Sequence, residues 1–123
     1  MIVLDEQISN VVVRTAIERW YPGAVGYITD LRPHSQILDE EIPRLLLEFN
    51  QPTFITINYS DFWRKASPHS DYSMLCLKLS IERWQEVSGI ARALLKLPEF
   101  ATKKKRMGKI ISWSDGAVDF YGN

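Results

Sequence analysis

The feature that most restricts how this chain can fold is a series of short apolar runs, each the length of one strand, set between segments whose apolar residues follow helical spacing. "MIVL" opens the series, and "AVGYI", "TFITI" and "YSMLCLKL" continue it. The first shows no apolar/polar alternation, as expected of a strand buried on both faces. After the first run, Val13, Ala16, Ile17 and Trp20 fall at i, i+3, i+4 and i+7, and Pro22-Gly23 stops the helix they predict. A second helix is predicted from Asp39, with Ile42, Leu45, Leu46 and Phe49 on one face and Pro43 near its start. The polar stretch "TDLRPHSQ" before it, with Pro33 and no periodicity, reads as a loop. A third, long helix is predicted from about Ser80 to Leu97, with Val87, Ile90, Ala91, Leu94 and Leu95 inward and Pro98 at its end. In the tail "KKKRMGKIISWSDGAVDFYG" a basic run precedes two extended segments joined by Asp115-Gly116, a tight-hairpin signal.

Strands alternating with amphipathic helices imply an α/β fold with a central, mainly parallel sheet, helices on both faces and a C-terminal β-hairpin. A length of 123 residues suits one domain, 1–123, rather than two. In open sheets of this kind ligands bind beyond the carboxyl ends of the strands. Asp5 and Glu6 follow the first strand, Asn58 and Asp61 follow the third, and Asp39, Glu40 and Glu41 open the second helix, so the acids are expected on one edge.

Hydrophobic residues at 46% and charged residues at 24% predict an ordered chain. Fifteen basic and fifteen acidic side chains cancel, so any attraction for nucleic acid has to come from a local patch. A single cysteine and two histidines exclude a disulfide framework and argue against a thiolate zinc site, a pattern suited to the cytoplasm. The start "MIVLDEQIS" has no basic leader, and no apolar run approaches the ~18 residues of a membrane span; neither export nor a membrane location is expected.

Carboxylates brought close together must share a proton or a cation. Mg²⁺ or Mn²⁺ meets that need with oxygen ligands, and can activate water against a phosphodiester. Each acid also has a plainer reading. Asp39 suits a helix N-cap, with Glu40 and Glu41 favourable in the first turn. Asp61 could cap a short helix "DFWRK", and Asn58 suits a turn. Asp5 and Glu6, directly after a buried strand, have no evident local need for charge.

Taken together, "MIVLDEQIS" at the start, "DEEI" opening a helix and "FITINYSDF" after a buried strand resemble the PIN-like proteins, above all a short branch reading L-D-E near the first residue, D-x-x-I in the middle and T-x-D-x-D-F later. The order of the remaining elements, down to the closing "GKII" hairpin, also resembles theirs. The resemblance implies a three-layer PIN-like fold and a Mg²⁺- or Mn²⁺-dependent endoribonuclease, the toxin half of a toxin-antitoxin pair, with RNA as substrate, an antitoxin protein as partner and a homodimer as a common state. By position it implies Asp5, Asp39 and Asp61 as catalytic acids, the same three with Glu6 as metal ligands, and Thr56 as the small polar residue that holds the corner. Asn58 departs from the pattern, standing where the branch carries an acid; an amide can ligate through oxygen but brings no charge and cannot act as a base.

Contacts to RNA need cations near the acids. Arg64 and Lys65, within one helical turn of Asp61, are best placed, followed by Arg14, Arg32 and the run Lys103 to Arg106, whose plainer reading is a solvated helix end. Trp63 could stack on a base, although Trp20, Trp63, Trp84 and Trp113 fit core positions better. His34 and His69 have no partner spacing that suggests a site, and Cys76 reads as a buried apolar residue. Two other functions stay open: a PIN-like scaffold weakened in catalysis that binds a protein partner or RNA, and a phosphate-accepting receiver domain, which would need an acid where Asn58 stands and a lysine after a fifth parallel strand.

Overall fold

The computed structural model describes residues 1–122 and arranges six strands in one sheet, in the order β2-β1-β3-β4-β5-β6. They are β1 (Ile2–Leu4), β2 (Val25–Tyr27), β3 (Thr53–Thr56), β4 (Ser73–Leu77), β5 (Lys109–Ser114) and β6 (Ala117–Gly122). The first five run parallel to their neighbours, and β6 returns antiparallel to β5.

Alternate residues of these strands face opposite ways, and both faces are covered. Ile2, Leu4, Ile55, Leu75 and Ile111 meet Val13 and Ile17 of α1 (Val11–Glu18) and Val87, Ala91 and Leu94 of α4 (Val87–Lys96). Val3, Phe54, Met74, Cys76 and Ile110 meet Ile42, Leu45 and Leu46 of α2 (Ile42–Leu46) and Phe62 of α3 (Tyr59–Phe62). Two-sided burial explains why the strand runs are continuously apolar. Asn10 caps α1 by accepting from the Val13 amide at 2.8 Å.

Asp115 and Gly116 have φ of 49° and 85°, the positive pair that a two-residue type I′ hairpin turn needs. The hairpin is therefore formed as the sequence predicts. Its first arm, β5, does double duty as the fifth parallel strand, a role the hairpin reading alone did not give it.

Three helix boundaries differ from expectation. The long helix begins only at Val87; before it, Ile81–Glu86 form a 3₁₀ segment broken at Arg83 (φ −99°, ψ 20°). Ile81 is 49% exposed and Trp84 alone packs on the core from this segment, too little apolar surface to hold these residues in α-helical register. Arg83 is instead held by its own bonds to Glu86, at 2.6 and 2.7 Å. The second helix starts as a 3₁₀ turn over Asp39–Glu41 and its α-helical part ends at Leu46, leaving Phe49 in the following turn but still packed on the core. The segment "DFWRK" is not a helix: α3 begins two residues before Asp61, and Arg64 turns the chain with φ of 66°. Among the described residues no helix is long and apolar enough to cross a membrane.

β1 connects to β2 on one side while β3 lies on the other, so the direction of winding reverses between β1 and β3. That reversal opens a crevice at the carboxyl ends of these two strands. Phe54 is fully buried behind it, its ring 5.6 Å from that of Phe62 in an edge-on arrangement. Phe54→Ala should cost about 3–5 kcal/mol, the range for deleting a buried aromatic ring, measured by urea unfolding. A loss below about 1 kcal/mol would contradict the packing described for this face.

Candidate active site

The crevice is built first from Asp5. As β1 ends, the Asp5 amide still donates to Ile55 O across the strand pair at 3.0 Å, which fixes the residue beside the end of β3. Its side chain is 6% exposed. One carboxylate oxygen accepts from the Glu6 amide at 2.7 Å and the other from Thr56 Oγ1 at 2.6 Å. Asp5 therefore caps the 3₁₀ turn Glu6–Ile8, a local use that the sequence reading did not assign to it. Burial raises its pKa, and the bonds from Thr56 and Glu6 oppose the rise.

Thr56 joins two segments at this corner. Besides donating to Asp5, its Oγ1 accepts from the Asn58 amide nitrogen at 3.0 Å. One buried hydroxyl thus ties the end of β1 to the loop after β3.

Asp39 is not an N-cap. It is the first residue of its 3₁₀ turn, Leu38 precedes it at the cap position, and the capping carboxylate is that of Glu41, which accepts from the Leu38 amide at 3.2 Å. The Asp39 carboxylate turns instead to the crevice, where Oδ2 accepts from Asn58 Nδ2 at 3.2 Å. Asp61, exposed in the first turn of α3, stands next to it. Partial burial, followed by a hydrogen bond and repulsion from Asp61 and repulsion from Asp5 and Glu40, pushes Asp39 up to about 6. Asp61 moves the opposite way, held down by Asn58, by Asp39 and by the Lys65 ammonium. Of the two acids, only Asp39 meets the Asn58 amide with full hydrogen-bond geometry; toward Asp61 the amide acts through proximity. Burial and Asp61 thus favour the neutral form of Asp39, while Asn58 and Lys65 favour the charged form of Asp61.

Two adjoining recesses share Asp39. Asp5, Glu6, Asp39 and Asn58 line one of about 310 Å³. Asp39, Asp61 and Lys65 line the other, of about 480 Å³. Asp39 is thus the middle of a row that runs from Asp5 to Asp61. Among the described residues no three acidic, histidine or cysteine side chains close into a ready cation cage. The donor chemistry is nonetheless that of a hard cation site: carboxylate oxygens with an amide at hand, and an unrelieved repulsion centred on Asp39.

No family model, curated protein or solved structure matches the chain.

The candidate cations are distributed unevenly. Lys65 lines the Asp39–Asp61 recess. Arg64 reaches Asp119 at 3.4 Å and covers the rings of Trp63 and Tyr121, so its neighbours are on β6 rather than among the acids. Arg14 pairs with Glu18 at 3.5 Å and lies over Tyr27. Arg32 lines a separate recess with Glu40 and Glu41. The basic run forms α5 (Lys103–Arg106), and Arg106 bonds to Thr53, the first residue of β3; the run therefore lies at the opposite end of the sheet from the acids. The Asn58–Asp39 contact escaped the sequence reading. Its only trace was an amide two residues beyond the strand-end threonine, in a position that normal turn chemistry also explains.

A pH dependence follows from Asp39. Its folded-state pKa, about 6, lies above the ordinary carboxyl value, so the folded protein binds more protons than the unfolded chain between roughly pH 4 and 6 and loses stability as pH rises through that window. Asn at this position keeps an oxygen to accept from Asn58. Asp39→Asn should raise the thermal midpoint at pH 7.5, and the gain should fade near pH 4, where the wild-type carboxyl is neutral as well. An equal gain at both pH values would remove carboxylate repulsion as the cause.

Proposed function

We propose that the protein is a PIN-like, metal-dependent endoribonuclease of three-layer α/β architecture, acting in the cytoplasm as the toxin of a toxin-antitoxin pair. The observation that carries this reading is the placement of Asp5 and Asp39 at the crevice between β1 and β3, with Asp39 pushed up to about 6 among other acids. The sequence resemblance supplies the substrate class and the antitoxin partner, and with them the expectation of a homodimer.

Asp5 and Asp39 would hold Mg²⁺ or Mn²⁺, with Glu6 reaching the same recess from the rim and Asp61 binding from the second recess. When bound, the ion supplies an activated water and charge compensation at the phosphate. Thr56 keeps the Asp5 carboxylate oriented by a 2.6 Å hydrogen bond, as a partner behind a metal ligand does. Lys65, beside Asp61, offsets the repulsion between the acids and an incoming phosphate. Asp39, with a pKa of about 6, is the carboxyl best suited to carry a proton near neutral pH.

Asn58 favours a second reading. Its Nδ2 donates to Asp39 and its amide lies close to Asp61, so it neutralises in part the repulsion a cation would otherwise relieve. On this account the chain is a PIN-like scaffold weakened in catalysis, which binds RNA or a protein partner through the same crevice. A receiver function lacks its chemistry: Asn58 offers no acceptor carboxylate after β3, and Asp115-Gly116 follow β5 where a lysine is needed.

Cleavage of single-stranded RNA with added Mn²⁺ separates the two main readings. Wild type should cut, and Asp5→Asn should be slower by at least about 10- to 100-fold, the loss that outer-shell partners alone produce at metal sites. Asn58→Asp should tighten Mn²⁺ binding in calorimetry and raise the rate. Equal rates for wild type and Asp5→Asn would sink the nuclease reading, whereas no wild-type cleavage with activity gained in Asn58→Asp would establish the weakened scaffold.

A further inference from the structure

The amino ends of the same strands carry another recess, of about 590 Å³, between α1, α4 and α5. Four cationic side chains line it: Arg92 and Lys96, one helical turn apart on α4, and Lys103 and Arg106 on α5. Trp20 and Tyr21, which follow the end of α1, form an aromatic wall. No carboxylate lines it, and among the described residues none of the four cations takes part in an ion pair.

Arg106 is the built element of the recess. It is 5% exposed, and its guanidinium is oriented by Nε donating to Thr53 Oγ1 at 3.2 Å and Nη1 donating to Phe100 O at 2.9 Å. Among the described residues no buried side-chain nitrogen or oxygen lacks a partner. Nη2, which bonds to none of these residues, is therefore not fully enclosed, and Arg106 lines the recess. A guanidinium fixed on one edge and open on another is preorganised to meet an oxyanion. The aromatic wall is fixed too: Trp20 Nε1 donates to Ser88 Oγ at 2.9 Å, and the Tyr21 ring stands edge-on to it with centroids 6.1 Å apart.

We infer that this recess binds a phosphate group carried on a nucleobase, either a free nucleoside monophosphate or the phosphorylated end of an RNA strand. Phosphate offers oxygens in several directions, matching donors that arrive from two helices. The flat base matches the Trp20–Tyr21 wall, since base stacking on aromatic rings is tolerant of sequence. An acidic peptide would satisfy the cations and leave the wall unused. The inference is independent of the proposed cleavage, because the recess lies at the other end of β3 from the acids.

Calorimetric titration of the full chain in EDTA, which prevents metal-dependent cleavage, tests it. The probes are a nucleoside 5′-monophosphate, its nucleoside, inorganic phosphate, an oligoglutamate peptide, and one RNA oligonucleotide with a 5′-phosphate or a 5′-hydroxyl. The monophosphate should bind at least about tenfold more tightly than nucleoside, phosphate or peptide, and the affinity should fall with salt. Lys96→Glu should weaken binding by about tenfold or more, and Lys104→Glu, outside the recess, by much less. Both positions are exposed, and thermal melts verify that the variants fold. A 5′-phosphorylated oligonucleotide that binds more tightly than both the mononucleotide and its 5′-hydroxyl twin assigns the recess to strand ends; a mononucleotide that matches it assigns free nucleotides. Failure of the monophosphate to bind, equal binding of inorganic phosphate or oligoglutamate, or equal losses in the two lysine variants would overturn the inference.

Discussion

The pairing of β1 with β3 is the constraint on which the rest of the structure depends. β1 is three residues long and has a strand on either side, β2 and β3. Its side chains are fully buried, so it has neither a free edge nor a solvent face. Strands this short contribute few ladder bonds, and their register depends on the side chains that interlock above and below. Polar residues sit only at the ends of β3, and each has partners. Thr53 meets Ser73 at 2.9 Å and Arg106 at 3.2 Å, while Thr56 meets Asp5 and Asn58. Buried hydroxyls satisfied in this way avoid the penalty of about 1–3 kcal/mol that an unpaired polar group incurs.

Those two threonines also decide where chemistry is available. Side chains three apart on a strand point to opposite faces. Thr56 shares the face of Phe54, toward α2 and α3, and meets Asp5 at the end of β1 and the backbone amide of Asn58. Thr53 shares the face of Ile55, toward α1 and α4, and meets the arginine that closes the cationic recess. A single four-residue strand thereby anchors an acidic corner on one face at one end and a basic corner on the other face at the other end.

Much of this was legible in the sequence. Continuous apolar runs separated by helical periodicity gave the α/β class and the parallel sheet. The Asp-Gly pair gave the hairpin, and the rule for parallel sheets placed Asp5 and Asn58 at one edge. Side-chain direction at the ends of short elements was not legible. Asp39 was open to capping and to a site role, Asp5 to a site role alone, yet Asp5 caps the turn after β1, whereas Asp39 leaves capping to Glu41 and turns inward. Arg64 reaches Asp119 and the rings of Trp63 and Tyr121 from a left-handed backbone angle, φ 66°, that nothing in "FWRK" announces. In "KKKR" the fourth residue is buried while the first three are exposed, a distinction created by the four-residue helix α5 and the Thr53 hydroxyl waiting beneath it.

The zero net charge conceals a separation of charge along the strands. β3 has four residues, so its two ends lie about 10 Å apart at ~3.3 Å per residue. The Debye length at physiological ionic strength is about 8 Å, comparable with that distance. The acidic crevice and the basic recess are therefore partly screened from each other in physiological salt, each keeping its own local sign. At low ionic strength the screening length exceeds the strand, and the two ends partly cancel for any ligand at a distance. Attraction of a phosphate to this chain is thus governed by which end it approaches, and the neutral total describes neither end.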